Sequence, residues 1–159
     1  MKKSTIAVIA ALVALAIALV ALIFLNMPDI AQRQQLRTDE VFLIIIGEDE
    51  HRVTINDIEN LYPRAIEANY KRSGRPAETR MFSGVPFAAI LELHEIDSAN
   101  LQNAIFAAAD GYQSALTISR ALNDAYIVLC DERGPFRMIL PNDQFSQHWC
   151  SYLTDVTLR

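Results

Sequence analysis

The chain has 159 residues, with 14 lysines and arginines against 19 aspartates and glutamates, and its formal net charge at pH 7 is −5. Residues 26–159 contain all 19 acidic residues but only 12 basic ones, so this part carries a net charge of −7 (12 − 19). An acidic chain with no basic run is a poor candidate for binding nucleic acid or anionic lipid headgroups.

The amino-terminal segment has the composition of a membrane-spanning helix. Residues 6–25 are twenty uncharged residues, all of them Ala, Val, Ile, Leu or Phe. At about 1.5 Å per residue, such a helix spans the roughly 30 Å hydrocarbon core of a bilayer. A cleaved signal peptide has a shorter apolar region of about 7–15 residues, so an uncleaved signal anchor over residues 1–25 is favoured over a cleaved peptide.

The predicted anchor also predicts where the rest of the chain lies. Lys2 and Lys3 precede the apolar run and, under the positive-inside rule, favour a cytoplasmic amino terminus. The chain is then a single-pass protein of the cytoplasmic membrane that contacts the bilayer through residues 6–25. Residues 26–40 are polar and predict a juxtamembrane linker. Residues 41–159 are enough for one extracytoplasmic domain, either periplasmic or on the cell surface.

Within residues 41–159, short runs rich in β-branched and aromatic residues alternate with turn signals, which predicts a mainly β domain. The predicted strands are residues 41–46, 51–55, 65–72, 103–109, 114–118, 125–130, 136–140 and 155–158. A turn is predicted at residues 73–76. The predicted helices are residues 56–61, 87–93 and 145–153. Asn56 is the predicted N-cap of the first helix, with Glu59 as its capping-box partner, and Pro86 suits the start of the second.

Three spaced phrases carry a resemblance to a known family. They are Phe82-Ser83-Gly84-Val85-Pro86-Phe87, Ala109-Asp110-Gly111-Tyr112 and Gly134-Pro135-Phe136-Arg137-Met138-Ile139-Leu140-Pro141. In this order and at these separations the chain resembles the sulfite-oxidase-type molybdopterin-binding domain over residues 41–159. The resemblance implies an α+β, mainly β mixed-sheet fold. It also implies molybdopterin as the candidate cofactor.

One residue that the family uses for catalysis is missing. Catalytic members hold molybdenum with a cysteine thiolate upstream of the first phrase, because a soft anionic sulfur binds and tunes this metal. Residues 61–81 contain no cysteine, and none precedes Cys130. We therefore expect no catalytic residue and no metal ligand. The favoured function is a non-catalytic ligand-binding or accessory module, holding a small anionic or pterin-like ligand or serving a membrane-protein partner.

Two other functions stay open on the sequence, and they leave the question of enzymatic activity undecided. One is a molybdopterin-dependent oxidoreductase with an atypical metal site. The other is an interaction-only domain whose cleft is filled by side chains.

The candidate cofactor-binding residues are Asp110, Gly111, Tyr112 and Arg137, and each has a structural alternative. Asp110 and Gly111 are also the residues of an ordinary hairpin turn, and Tyr112 is also typical of a core aromatic with a satisfied hydroxyl. Arg137 lies in an otherwise apolar strand. It needs either an anionic partner or an outward orientation.

The two cysteines, Cys130 and Cys150, are left with more than one interpretation. Outside the cytoplasm, two cysteines usually pair, and this bond would close a loop of about twenty residues worth about 3 kcal/mol in the chain-entropy model. Two buried thiols are the equal alternative, and a metal or redox role is the third.

Overall fold

The computed structural model describes Leu15 and residues 40–71, 76–130 and 135–159. Contacts divide the chain into two units, Met1–Gln34 and Gln35–Arg159. The predicted anchor except Leu15, the predicted linker except Glu40 and the predicted turn except Pro76 lie outside the described residues. In the part of the chain that the structure describes, no helix is long and apolar enough to cross a membrane.

The described part of the second unit has ten strands, three short α-helices and one 3-10 helix. The strands are β1 Val41–Ile46, β2 Asp49–Thr54, β3 Arg64–Tyr70, β4 Glu78–Pro86, β5 Asn103–Ala108, β6 Gln113–Thr117, β7 Tyr126–Leu129, β8 Phe136–Ile139, β9 Cys150–Ser151 and β10 Leu153–Leu158. The helices are α1 Ile55–Asn60, α2 Phe87–Leu93, α3 Ile118–Asp124 and the 3-10 helix Ser146–His148.

The strands form two five-stranded sheets. The first sheet has the order β2-β1-β10-β5-β6, and the second has the order β3-β4-β7-β8-β9. β1 and β10 pair in parallel, whereas β2 and β5 pair antiparallel to them, so the first sheet is mixed. The ladders that join the strands of the second sheet are antiparallel. This architecture confirms the predicted α+β, mainly β class.

Aromatic side chains join the sheets into one core. Phe42 of the first sheet meets Phe136 of the second edge to face, with ring centroids 5.1 Å apart. Phe87 of α2 meets Phe106 of β5 in the same way, also at 5.1 Å. All four rings are at most 1% exposed. Each such ring stabilises the fold by about 1.5–3 kcal/mol through burial alone.

Gly84 lets two strands of the second sheet approach closely. A Cβ atom at this position would lie 2.5 Å from Val128 Cγ1 and 2.6 Å from the Ile127 carbonyl oxygen, both on β7. Such distances are too short for any side chain, so the glycine of the first phrase is explained by the packing of β4 against β7.

Three sequence predictions of local structure fail. Thr54, and not Asn56, is the N-cap of α1. The predicted helix at 145–153 is instead the 3-10 helix, β9 and the first residue of β10. The aromatic residues Phe145, Trp149 and Tyr152 recur at helical spacing, but they belong to an irregular segment that ends in a strand. Neither β4 nor α3 was predicted.

The cap of α1 gives a direct test of this local structure. The Asp57 amide donates to Thr54 Oγ1 at 3.3 Å, and the Thr54 amide donates to Asp57 Oδ2 at 2.7 Å. Thr54→Ala should therefore lower the free energy of unfolding by about 1 kcal/mol. Asn56→Ala is the matched control and should change it by less than about 0.5 kcal/mol. Urea denaturation measures both, and an equal loss in the two variants would contradict the assignment.

Candidate anion-binding site

Asp110, Gly111 and Tyr112 form the turn between β5 and β6. The Tyr112 amide donates to Asp110 Oδ1 at 3.1 Å, and Gly111 has a φ of +87°, a conformation that favours glycine. Asp110 therefore stabilises its own turn, as its structural alternative held. Its carboxylate and the glycine are exposed at the end of the hairpin.

Tyr112 ties this turn to another part of the chain. Its hydroxyl donates to the Gln147 carbonyl oxygen at 2.7 Å, the usual distance for an O–H···O hydrogen bond. Partial burial raises the pKa of the Tyr112 hydroxyl above its usual value of 10.0, and Cys150 nearby adds to the increase. The hydroxyl stays protonated at neutral pH, so it acts as a donor.

Arg137 lies in the middle of β8 and is only 7% exposed. Its strand neighbours Phe136 and Met138 are buried in the core between the sheets, so alternation directs Arg137 to the opposite face of the second sheet. The ladder places it between Val128 of β7 and Ser151 of β9. Its Nε atom is buried and has no hydrogen-bond partner among the described residues.

Aromatic rings and a second arginine surround Arg137. The Arg137 guanidinium carbon lies 5.9 Å from the centre of the Tyr70 ring, and that of Arg80 lies 4.9 Å from the same centre. Trp149 stacks on Tyr70 with ring centroids 5.7 Å apart, and Phe82 meets Trp149 edge to face at 5.4 Å. We call Tyr70, Arg80, Phe82, Arg137 and Trp149 the arginine–aromatic cluster.

The cluster has a net positive charge. A guanidinium stays protonated at any physiological pH, and Arg137 has no ion pair among the described residues. Arg80 pairs with Glu78 at 3.1 Å, but both side chains are more than a third exposed, so water screens this pair. A buried charge without a hydrogen-bond partner is costly. An anion at Arg137 Nε would remove that cost through a charge-assisted hydrogen bond.

The structure does not bring the four predicted site residues together. Asp110, Gly111 and Tyr112 belong to a turn of the first sheet, whereas Arg137 lies on the outer face of the second. No hydrogen bond or ring contact within the described ranges joins the turn to Arg137. The candidate site is therefore centred on Arg137.

Sequence reasoning did not group Phe82 with Tyr70 because it missed β4. Glu78, Arg80, Phe82 and Gly84 stand at every second position of that strand and share one face. The same face of β3 carries Ala68 and Tyr70, which pair with Arg80 and Glu78. The alternation of residues 78–84 was the available signal for the site.

Residues 61–81 do not provide the thiolate that molybdenum would need. These residues include all of β3 and the start of β4, and they contain no cysteine. Among the described residues, no group of three or more His, Cys, Asp or Glu side chains could hold a metal ion. The anionic part of a pterin cofactor does fit, because the buried Nε of Arg137 is a donor without an acceptor.

The cysteines are present as two thiols and not as a disulfide. The register explains this outcome. Cys150 pairs with Met138, and Met138 pairs with Ile127, so Cys130 lies two strands away and three residues further along β7. At the usual sheet spacings this separates the Cα atoms by about 14 Å, whereas a disulfide needs about 4.4–6.8 Å.

Comparisons with known proteins support the fold and no more than the fold. No family model matches the chain, and no curated protein matches it. The crystal structure of the sulfane dehydrogenase SoxCD from Paracoccus pantotrophus matches it with a TM-score of 0.62 and 12% sequence identity. The match covers 77% of this chain but only 38% of that chain. It supports a distant likeness to the molybdopterin-oxidoreductase fold that the sequence predicted.

The burial of Arg137 without a partner predicts an unusual effect on stability. Arg137→Met keeps the apolar stem and removes the charge, so the free energy of unfolding should stay unchanged or rise by about 1–3 kcal/mol. Arg64→Met is the control, because Arg64 is exposed and donates to the Tyr126 hydroxyl at 2.8 Å. This control should lose about 1 kcal/mol or less. A loss above about 2 kcal/mol in Arg137→Met would show that the arginine stabilises the fold.

Proposed function

We propose that the chain is a membrane-anchored, extracytoplasmic binding or accessory module that holds a small anionic or pterin-like ligand at the arginine–aromatic cluster. The observation that carries the proposal is the Arg137 Nε atom, which is buried and has no hydrogen-bond partner among the described residues. Buried polar atoms are nearly always hydrogen-bonded, so an orphaned one in an aromatic setting indicates a ligand contact.

Each member of the cluster has a role in this binding. Arg137 would donate a charge-assisted hydrogen bond to an anionic oxygen of the ligand, and Arg80 would add a second positive charge. Tyr70 and Trp149 stack on each other in the described structure, and once parted they would offer ring faces to a planar heterocycle. Molybdopterin, when bound, supplies both an anionic phosphate and a planar ring. The chain's own residues then bind and orient it and exclude water.

A second candidate function is a molybdopterin-dependent oxidoreductase with an atypical metal site. The likeness to a sulfane dehydrogenase favours it, and the absence of a thiol from residues 61–81 counts against it. The binding module remains the stronger proposal, because it uses residues that the chain has and needs none that it lacks.

Ligand titration tests the binding function. Calorimetry with 6-hydroxymethylpterin phosphate, unphosphorylated 6-hydroxymethylpterin and inorganic phosphate should show tightest binding of the first. Arg137→Met should weaken it about 10- to 100-fold, the usual effect of losing a hydrogen bond to a charged group. Arg52→Met is the control, since Arg52 is an exposed residue of β2 in the other sheet. Equal affinity in the wild type and Arg137→Met would refute the proposed site.

Metal analysis separates the two candidate functions. Protein purified from a host that makes molybdopterin should contain less than stoichiometric molybdenum if it is a binding module. One molybdenum per chain, together with a pterin, would establish the oxidoreductase instead.

The membrane anchor has its own test. The proposal rests on the twenty apolar residues 6–25. The full chain should remain in the membrane fraction after alkaline carbonate extraction, and a variant lacking residues 1–25 should be soluble. Protease added outside intact spheroplasts should digest the domain. Full release of the intact chain by carbonate would contradict the anchor, and protection from external protease would contradict its orientation.

A further inference from the structure

Residues 141–149 are all but the first of the residues between β8 and β9; they bring Trp149 into the arginine–aromatic cluster, and we call them the strap. Apart from the 3-10 helix Ser146–His148, it has no regular structure and takes part in no strand ladder within the described residues. Its position is therefore set by side-chain contacts and not by a sheet.

Polar contacts tie the strap to three different elements. Asp143 pairs with Arg120 of α3, and Asn142 Nδ2 donates to Asp124 Oδ1 of the same helix at 3.1 Å. The Gln147 carbonyl oxygen accepts from Tyr112 in the β5–β6 turn at 2.7 Å. Ser146 Oγ accepts from the Lys71 amide at 3.2 Å and donates to the Lys71 carbonyl oxygen at 3.0 Å, at the end of β3. Within the strap, His148 Nδ1 lies 3.0 Å from Asp143 Oδ2 and helps to hold that carboxylate.

These ties lie mostly at the water-exposed edge of the molecule. The Arg120 side chain is 37% exposed, and the bonds of Tyr112 and Ser146 are also exposed. Exposed polar contacts each contribute little to stability. A segment held by a few of them opens at a lower cost than a strand in a sheet.

The strap ends in Trp149, which covers the cluster. Trp149 is 6% exposed and stacks on Tyr70, and Tyr70 lies next to the Arg137 guanidinium. Arg137 Nε is itself buried. Tyr70 lies next to Arg137 and Trp149 lies on Tyr70, so a movement of Trp149, which belongs to the strap, would open a path to this atom.

We propose that the strap is a cover, and that its release from Arg120, Tyr112 and Lys71 exposes Arg137 to an anion. The identity of the natural ligand rests on the proposed function, but the movement of the cover does not. Because only the open form binds, the apparent affinity is the intrinsic affinity multiplied by the open fraction. Loss of one of these polar contacts should increase a small open fraction about fivefold. The apparent affinity for the anion should increase by the same factor.

The experiment uses Trp149, which is the only tryptophan of the chain. Its fluorescence is quenched by iodide or caesium only when the ring meets solvent, and an exposed Arg137 beside it attracts iodide. The test variants are Tyr112→Phe, Arg120→Gln and their double mutant. The controls are Tyr62→Phe and Arg52→Gln, because Tyr62 is 88% exposed and Arg52 lies in the other sheet.

Quenching of Trp149 fluorescence by iodide should rise several-fold in the single variants and further in the double mutant. The rise should be larger with iodide than with caesium. When Arg137→Met is added to the double mutant, quenching by iodide should increase no more than quenching by caesium does. Hydrogen exchange should accelerate at residues 142–149 and stay unchanged at β10. Unchanged quenching would overturn the cover, as would faster exchange at β10, which would mean global opening. An equal rise with both ions would overturn the exposure of Arg137.

Titration of the same variants with 6-hydroxymethylpterin phosphate keeps the two proposals separate. Tighter binding in the double mutant supports both the cover and the ligand. If iodide reports opening but the pterin phosphate does not bind, then the proposed ligand class is wrong and the cover stands. If the pterin phosphate binds equally well to all variants while quenching is unchanged, then the cover is wrong and the ligand site stands.

Discussion

The architecture depends on the strand β10, which the chain inserts into the first sheet directly after leaving the second. β9 pairs with β8 at the edge of the second sheet, and β10 lies between β1 and β5 in the first. Only Tyr152 separates them, and its φ of +59° makes the bend that the crossing requires. A non-glycine residue in this region is mildly strained, so burial of the flanking strands must hold it there. Leu153, Val156 and Leu158 are buried and provide that burial.

This crossing also determines where the strap can lie. Its carboxyl end is fixed because Cys150 enters the ladder with Met138 and β10 follows at once. Its amino end is fixed by β8. Between these two points ten residues, 140–149, connect neighbouring strands and take part in no strand pairing in the described structure, which gives the strap enough length to place Trp149 on Tyr70. The same topology that closes the core thus produces a loosely held segment over a buried arginine.

The sequence predicted most of the strands but not the arginine–aromatic cluster, and the two results have one physical origin. Runs such as residues 41–46 and 136–140 are apolar and β-branched or aromatic, so burial dictates both their pattern and their conformation. β4 has exposed residues on one face over most of its length and contains Gly84 and Pro86. Its residue pattern was therefore not interpreted as a strand. Because the site lies on the other face of β4 and on the irregular strap, tertiary packing brings it together and local pattern does not reveal it. Of the four predicted residues, only Arg137 lies in the cluster. It was identified because an arginine in an apolar strand needs an anionic partner or an outward orientation.

The need of Arg137 for an anionic partner also bears on the choice between binding and catalysis. Local rules of folding are broken most often where function requires it, and a methionine at position 137 would pack as well without the cost of a buried charge. An anion satisfies Arg137 whether or not a metal accompanies it, since the hydrogen bond is made to an oxygen. Metal-dependent oxidation would in addition need a ligand that holds and tunes molybdenum, and residues 61–81 provide no thiolate for this. The proposed anion-binding module needs no thiolate, which is why we favour it over metal-dependent oxidation.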